Sequence, residues 1–135
     1  MKVIVDTDVW SEALRKEGDE PSSQVRELGE LIENGSVQMV GIIRMEILCG
    51  IRDEKRFKKL KEAVAAFPDR QLDTEVFELA AVMFNQCRGK GVQGSMTDFV
   101  LCACSALWQM PIMTKDKDFK RYQRHLPIEL HTPRK

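Results

Sequence analysis

Val3-Ile4-Val5 sets three β-branched apolar side chains in a row, and the run ends abruptly in Asp6-Thr7-Asp8. A strand without polar alternation is buried on both faces, which is the mark of a parallel sheet covered by helices. The carboxyl ends of such strands are where open α/β sheets build their sites. The run therefore predicts a central strand that delivers Asp6 to a functional rim. Three later segments aim acids from apolar surroundings in the same way: residues 41–50 carry Glu46, residues 95–110 carry Asp98, and residues 112–119 carry Asp116 and Asp118. Four carboxylates converging on one point would need a cation.

At 135 residues the chain is expected to form one domain, 1–135, long enough to bury a core and without a composition break that would mark a linker. The start lacks the long apolar stretch of a signal peptide, and no run reaches membrane-spanning length, so a cytoplasmic protein is expected. Cys49, Cys87, Cys102 and Cys104 lie in apolar helical patterns without C-x-x-C spacing, and they read as reduced core residues. With 21 basic and 21 acidic residues the formal charge is zero, so contact with nucleic acid must rest on a local basic patch.

Along the chain, Thr7 or Asp8 is expected to cap a short helix that turns Trp10, Ala13 and Leu14 inward, broken at Gly18-Asp19-Glu20-Pro21. Ser22 or Ser23 caps a second helix with the stripe Val25, Leu28, Leu31 and Ile32, stopped by Asn34-Gly35 before a strand at 37–40. A third helix begins near Gly41 or Ile42, holds Glu46 close to its start and ends around Gly50, and a fourth, opened by Asp53, faces Phe57, Leu60, Val64 and Phe67 one way. A short strand at 71–72 precedes a long helix with Val76, Ala80, Met83 and Cys87 buried. After a glycine-rich loop at 88–94, Ser95 caps a helix to about Trp108. Residues 112–114 form a strand, and residues 127–130 add a last one.

Each acid also has a plain structural reading. Asp commonly ends strands and caps helices, Ser95-Met96-Thr97-Asp98 is a capping box, Glu46 could be a solvated helix residue, and Lys115-Asp116-Lys117-Asp118 a charged turn. Placement favours function: Glu46 sits among Met45, Ile47 and Leu48, and Asp98 precedes the nearly all-apolar residues 99–104, so both are expected half-buried. Oxygen-only ligands suit Mg²⁺ or Mn²⁺, and no His or Cys set competes for zinc. His125 and His131 lie in polar surroundings near the C-terminus, and neither is expected to be catalytic.

Val5-Asp6-Thr7-Asp8-Val9, the E-x-x-x-G of Glu46 to Gly50, Asp98 opening an apolar helix, and Thr114-Lys115-Asp116-Lys117-Asp118-Phe119 together resemble the ordered signature of PIN-domain ribonucleases, and among them the VapC-type toxins of toxin–antitoxin pairs. The resemblance spans Asp6 to Phe119. It implies a PIN-like three-layer α/β/α sandwich with a central, mainly parallel sheet. It also implies a homodimeric Mg²⁺-dependent endoribonuclease, held inactive by an antitoxin that binds over the active-site groove. Asp8 stands where the family often has Asn or Ser, and Gly41-Ile42-Ile43 where it usually has a Ser or Thr shortly before the glutamate. The fourth acid is ambiguous: Asp116 follows the strand threonine, while Asp118 precedes the phenylalanine. Asp116 is the expected ligand and Asp118 a support.

On this reading Asp6, Glu46, Asp98 and Asp116 hold one or two metal ions beside an RNA phosphate, with Thr7, Asp8 and Thr114 in support and Asp98 or Glu46 as the proton acceptor. Candidate RNA-groove cations are Lys115, Lys117, Lys120, Arg121, Arg124, Arg44 and Arg52. Residues Asp6-Thr7-Asp8-Val9 also resemble the start of haloacid-dehalogenase-type phosphatases, with Asp6 as nucleophile and Asp8 as general acid. That alternative leaves Glu46 and Asp98 without a role. A third possibility is a non-catalytic domain that binds RNA or protein, which predicts missing acids where none is missing. Trp10 and Leu14 are expected to line a homodimer or partner surface, or else to be plain core.

Overall fold

A computed structural model of the chain describes residues 1–15 and 20–134. Strand β1 (Val3–Val5) lies between β2 (Val37–Gln38) and β3 (Ile112–Met113), and both pairings are parallel. The register sets Val3 against Val37, Ile4 against Gln38 and Ile112, and Val5 against Met113. All three β1 side chains are buried, as an uninterrupted apolar run at a sheet centre requires.

The strand expected at 127–130 shrinks to a single parallel bridge, Ile112 to Leu130, and none forms at 71–72, where the nearest pairing is the earlier bridge Met39 to Asp69. After Pro68 the chain makes one bridge before Asp73 caps the next helix, which leaves no length for a strand at 71–72. At 127–130, Pro127 has no N–H to give, and the pairing reduces to Ile112 N–H donating to Glu129 and His131 N–H donating to Ile112. The strand expected at 37–40 is cut short because Val40 already begins the next helix.

The helices are α1 (Thr7–Leu14), α2 (Ser23–Glu33), α3 (Gly41–Leu48), α4 (Glu54–Ala63), α5 (Thr74–Gly89), α6 (Met96–Trp108) and α7 (Asp118–Gln123). The caps explain where several begin: Ser22, Asp53, Asp73 and Ser95 each accept a backbone N–H of the first turn. Helix α2 ends where Gly35 takes φ +66°, a conformation that only glycine adopts without cost. Helix α6 is buried without interruption from Phe99 to Ser105, so it is the central helix, and the predicted stripe Val76, Ala80, Met83 and Cys87 of α5 is buried beside it.

Several packing expectations are corrected. In α1, Val9 and Trp10 are buried while Ala13 is exposed and Leu14 half-buried. Trp10 meets Phe67 edge to face at 5.2 Å, so it is core and does not line a docking surface. Helix α1 stops at Leu14, and the break expected at 18–21 falls largely outside the described residues. Cys49 is exposed at the end of the short α3, whereas the other three cysteines are buried; all four are free. Phe57 and Ile32 are exposed, leaving Leu60 and Val64 to bury α4, and Leu28 and Leu31 to bury α2.

A buried carboxylate on α2 was not anticipated. Glu27 is 1% exposed, stands 2.6 Å from His131 Nε2, and accepts the backbone N–H of Arg134. The hydrogen bond to His131 is the main reason its pKa is lowered, and it ties the C-terminal segment to the helix. Among the described residues, no helix is long and apolar enough to cross a membrane.

Candidate active site at the carboxyl end of the sheet

Asp6 follows β1 directly and is itself the N-cap of α1, the role expected of Thr7 or Asp8: Oδ1 accepts the Thr7 N–H at 2.7 Å. Its Oδ2 accepts the Thr114 hydroxyl at 2.7 Å. Thr114 follows β3, so the parallel pairing of β1 with β3 is what joins residues far apart in sequence. Asp6 is 9% exposed, and its pKa is raised to about 6. Burial is the chief cause; the charges of Asp8 and Asp98 add to it, and the bonds from Thr114 and Thr7 partly offset it.

Asp8 accepts the Lys115 N–H at 3.1 Å and the Thr114 hydroxyl at 3.4 Å through Oδ2. Its Oδ1 is buried without a hydrogen-bond partner among the described residues. Burial raises its pKa, and the charge of Asp116 adds to the effect.

Asp98 satisfies both of its sequence readings. Its backbone N–H donates to the Ser95 hydroxyl at 3.1 Å, as the capping box requires. Its carboxylate nevertheless accepts the Tyr122 hydroxyl at 2.6 Å and lies close enough to Asp116 and Asp6 for their charges to be felt. Burial is the main reason its pKa is raised. Tyr122 was missed because a tyrosine in a basic stretch reads as a surface residue. The available signal was its spacing of three from Phe119, which puts both on one helix face.

Glu46 is placed differently from expectation. It lies in the second half of α3 and is exposed, because the buried face of that short helix is taken by Ile43 and Ile47. Its Oε1 accepts the Thr7 hydroxyl at 2.6 Å, which turns it toward the rim. Asp116 is half-buried, its N–H donates to Thr114 Oγ1 at 3.0 Å, and its charge reaches Asp8 and Asp98. Asp118 instead faces Arg121 at 3.7 Å. Of the two alternatives, Asp116 is the one turned to the other acids.

Arg44 is removed from the candidate groove. Its guanidinium is spent on Asp69 and on the carbonyls of Val64 and Phe67, so it clamps α3 to the end of α4. Lys115 pairs with Glu12 at 2.6 Å. Lys117, Lys120, Arg124 and Arg52 are exposed, and no ion pair engages them among the described residues.

Among the described residues, no three His, Cys, Asp or Glu side chains form a group that could hold a metal ion as they stand. The donor chemistry nonetheless fits a hard divalent cation: every candidate donor is oxygen, one carboxylate oxygen is buried and unpartnered, and the acids repel one another.

A parallel sheet whose rim gathers acids at the head of a buried helix defines the class, a PIN-like α/β/α sandwich. The PIN domain profile matches residues 3–125, and the chain belongs to that family. It is 29% identical over 120 residues to the VapC ribonuclease Mb1587 of Mycobacterium bovis, covering 87% of this chain and 88% of the relative. The same figures hold for ribonuclease VapC11 of Mycobacterium tuberculosis. In fold it is similar to FitAcB from Neisseria gonorrhoeae, with a TM-score of 0.77 at 20% identity over 97% of both chains. It is also similar to VapBC2 from Rickettsia felis bound to a promoter DNA fragment, with a TM-score of 0.78 at 18% identity over 97% of this chain and 98% of the other. Membership of the PIN family replaces the haloacid-dehalogenase reading of Asp6 and Asp8.

Proposed function

We propose that the chain is a metal-dependent endoribonuclease acting as the toxin of a toxin–antitoxin pair. One observation carries the reading: Asp6 is buried, meets the charges of Asp8 and Asp98, and has no cationic partner among the described residues. An acid held so is stable when protonated or beside a cation. Membership of the PIN family and the names of its ribonuclease relatives support the same conclusion.

On this reading Asp6, Glu46, Asp98 and Asp116 would hold Mg²⁺ or Mn²⁺. When bound, the cation lowers the pKa of a water for in-line attack on the RNA phosphate and offsets charge on the leaving oxygen. Thr7 orients Glu46, Thr114 orients Asp6, and Tyr122 orients Asp98. Asp98 or Glu46 takes the proton of the attacking water. The partner is a small antitoxin that covers the rim and offers a basic side chain, best an arginine whose fork pairs with two carboxylate oxygens. The chain works in the cytoplasm as a homodimer. The exposed Phe77 and Met96, beside an apolar groove of about 260 Å³ between α5 and α6, support pairing of two copies.

The purified chain is expected to cleave single-stranded RNA with Mg²⁺ or Mn²⁺ and to be silent in EDTA. Cleavage that persists in EDTA overturns the metal dependence. Expression of the chain alone is expected to arrest growth, and coexpression of the neighbouring reading frame to restore it. Unimpaired growth with abundant wild-type protein ends the toxin assignment.

A further inference from the structure

Next to the acids the surface sinks into a second hollow of about 310 Å³. One wall is the turn after β3 and the start of α7, with Thr114, Asp116, Lys117 and Lys120; the other is the C-terminal segment, with Leu130 and His131. Thr114 and Asp116 belong to the hollow and to the acidic rim alike, so a polymer with one unit on the rim can place its neighbour here.

We propose that this hollow is the subsite for the nucleotide adjoining the scissile phosphate of a single-stranded RNA, an inference that rests on the nuclease reading. Charge supports it first. Lys117 and Lys120 are exposed and engaged in no ion pair among the described residues, whereas Lys115 is committed to Glu12. Asp116 is the acid in the wall, and once a cation sits beside it the hollow is basic. Composition agrees: Leu130 and Pro133 give apolar surface over the buried Ile112, with Gln24 and Thr132 at the edge, in a volume at the lower end of small-ligand sites.

The far wall is also held in place before any ligand arrives. Ile112 N–H donates to Glu129 at 2.9 Å and His131 N–H donates to Ile112 at 2.8 Å, while His131 Nε2 meets the buried Glu27 at 2.6 Å. A wall fastened in this way loses little freedom on binding. Glu27, which the acidic rim does not use, thereby acquires a purpose: it fixes the side of the hollow opposite the lysines. A protein segment would need acids for Lys117 and Lys120, yet the antitoxin is expected to bring a base to the neighbouring carboxylates. RNA satisfies both neighbours at once, with phosphate for the lysines and phosphate beside the metal-bound rim.

The test compares the wild-type chain with a Lys117→Ala/Lys120→Ala variant and with Thr132→Trp, which fills the hollow from an exposed position and spares the core. Steady-state cleavage of a mixed-sequence single-stranded RNA is expected to show KM raised about tenfold or more in both, with kcat within about threefold, because binding and not chemistry is touched. RNA titrations in an Asp6→Asn background are expected to lose about 1.4 from the slope of log K against log salt in the double alanine variant, two single-strand phosphate contacts at about 0.7 each. Mn²⁺ binding followed by electron paramagnetic resonance is expected to be unchanged. An unaltered KM and salt slope, or a change in kcat alone, overturns the subsite and leaves the nuclease reading standing. Absence of RNA cleavage by the wild type removes both. Normal RNA kinetics with lost neutralisation by the coexpressed antitoxin assigns the hollow to the protein partner and also overturns the proposal.

Discussion

Glu27 is 1% exposed and Asp6 is 9% exposed, and burial pushes both carboxylates toward the protonated form, yet their pKa values move in opposite directions. His131 and Arg134 close on Glu27, and its pKa is lowered. Asp6 receives two neutral donors, a hydroxyl and a backbone N–H, while the nearest charges are those of Asp8 and Asp98, and its pKa rises to about 6. A buried acid with its own cation is complete as folded. A buried acid surrounded by others is incomplete, and on the proposed nuclease reading the missing positive charge is the part that a bound cation would supply.

Activity is where the two acids differ most. Asp6→Asn is expected to lower Mg²⁺-dependent cleavage by about 10³-fold or more, since removing one charge from the rim weakens the hold on the cation and its activated water. Glu27→Gln is expected to keep kcat within about threefold. Comparable kcat losses in the two variants, measured on one RNA under saturating metal, break the distinction between them.

Stability separates them with opposite sign. Asp6 has a folded pKa above its ordinary 3.8, so the metal-free fold binds more protons than the unfolded chain between pH 3.8 and about 6, and stability falls as pH rises through that window. The penalty is full above pH 6 and absent below 3.8. Asp6→Asn removes it, and the gain at pH 7.5 in EDTA is at most roughly 3 kcal/mol, shrinking to nothing toward pH 3.8. The fold tolerates the change because the Thr114 hydroxyl can accept from the new amide as readily as it donates to the acid. Urea titrations at pH 7.5 and pH 4 decide the point, and a loss of stability at pH 7.5 would make Asp6 a structural cap.

Glu27 gives the mirror image. Its folded pKa lies below its ordinary 4.5, so its contribution is complete above 4.5 and is lost as pH falls through the folded value. Glu27→Gln is expected to cost about 2 kcal/mol at neutral pH, mostly through His131, because Arg134 is 62% exposed and its attraction is screened. The difference from wild type should close in acid. A difference that does not narrow at all as the pH falls below 4.5 assigns the effect to packing and not to charge.

What could be read from the residue order was the local part of this contrast. The run Val3 to Val5 and the acid behind it specify a buried strand and its rim, and the caps and stripes of α2, α5 and α6 depend on neighbours three or four positions away. The acids could be nominated on the same ground. Their partners could not: Tyr122 reaches Asp98 across 24 positions, His131 reaches Glu27 across 104, and Arg44 finds Asp69 across 25. Nothing in a helical stripe states which tertiary neighbour will close over a charge, and for that reason no sign of the buried Glu27 is legible in the residue order and Arg44 stands there among the groove cations.

The smallest expected effect sharpens the comparison from within the rim. Tyr122 is fully buried, packs against Phe99 and Phe119 at ring separations of 4.9 and 5.1 Å, and turns its hydroxyl to Asp98 at 2.6 Å. Gly94 lies against that hydroxyl, and a side chain there would strike it, so the loop before α6 leaves room for the bond. The bond gives Asp98 one neutral donor and no positive charge, as Thr114 does for Asp6; it aims the carboxylate without completing it. Tyr122→Phe keeps the rings and removes the donor, which leaves Asp98 less firmly oriented and harder to ionise. Loss of an outer hydrogen bond to a metal-binding side chain costs about 10- to 100-fold in metal affinity, and the lower end is expected here because Asp98 is half-buried and water can replace the hydroxyl. Mn²⁺ titration should show affinity weakened about tenfold, and cleavage should recover toward the wild-type rate as metal is raised. A rate that stays low at saturating metal would place the Tyr122 hydroxyl in the chemical step, and an unchanged Mn²⁺ affinity would remove it from the site.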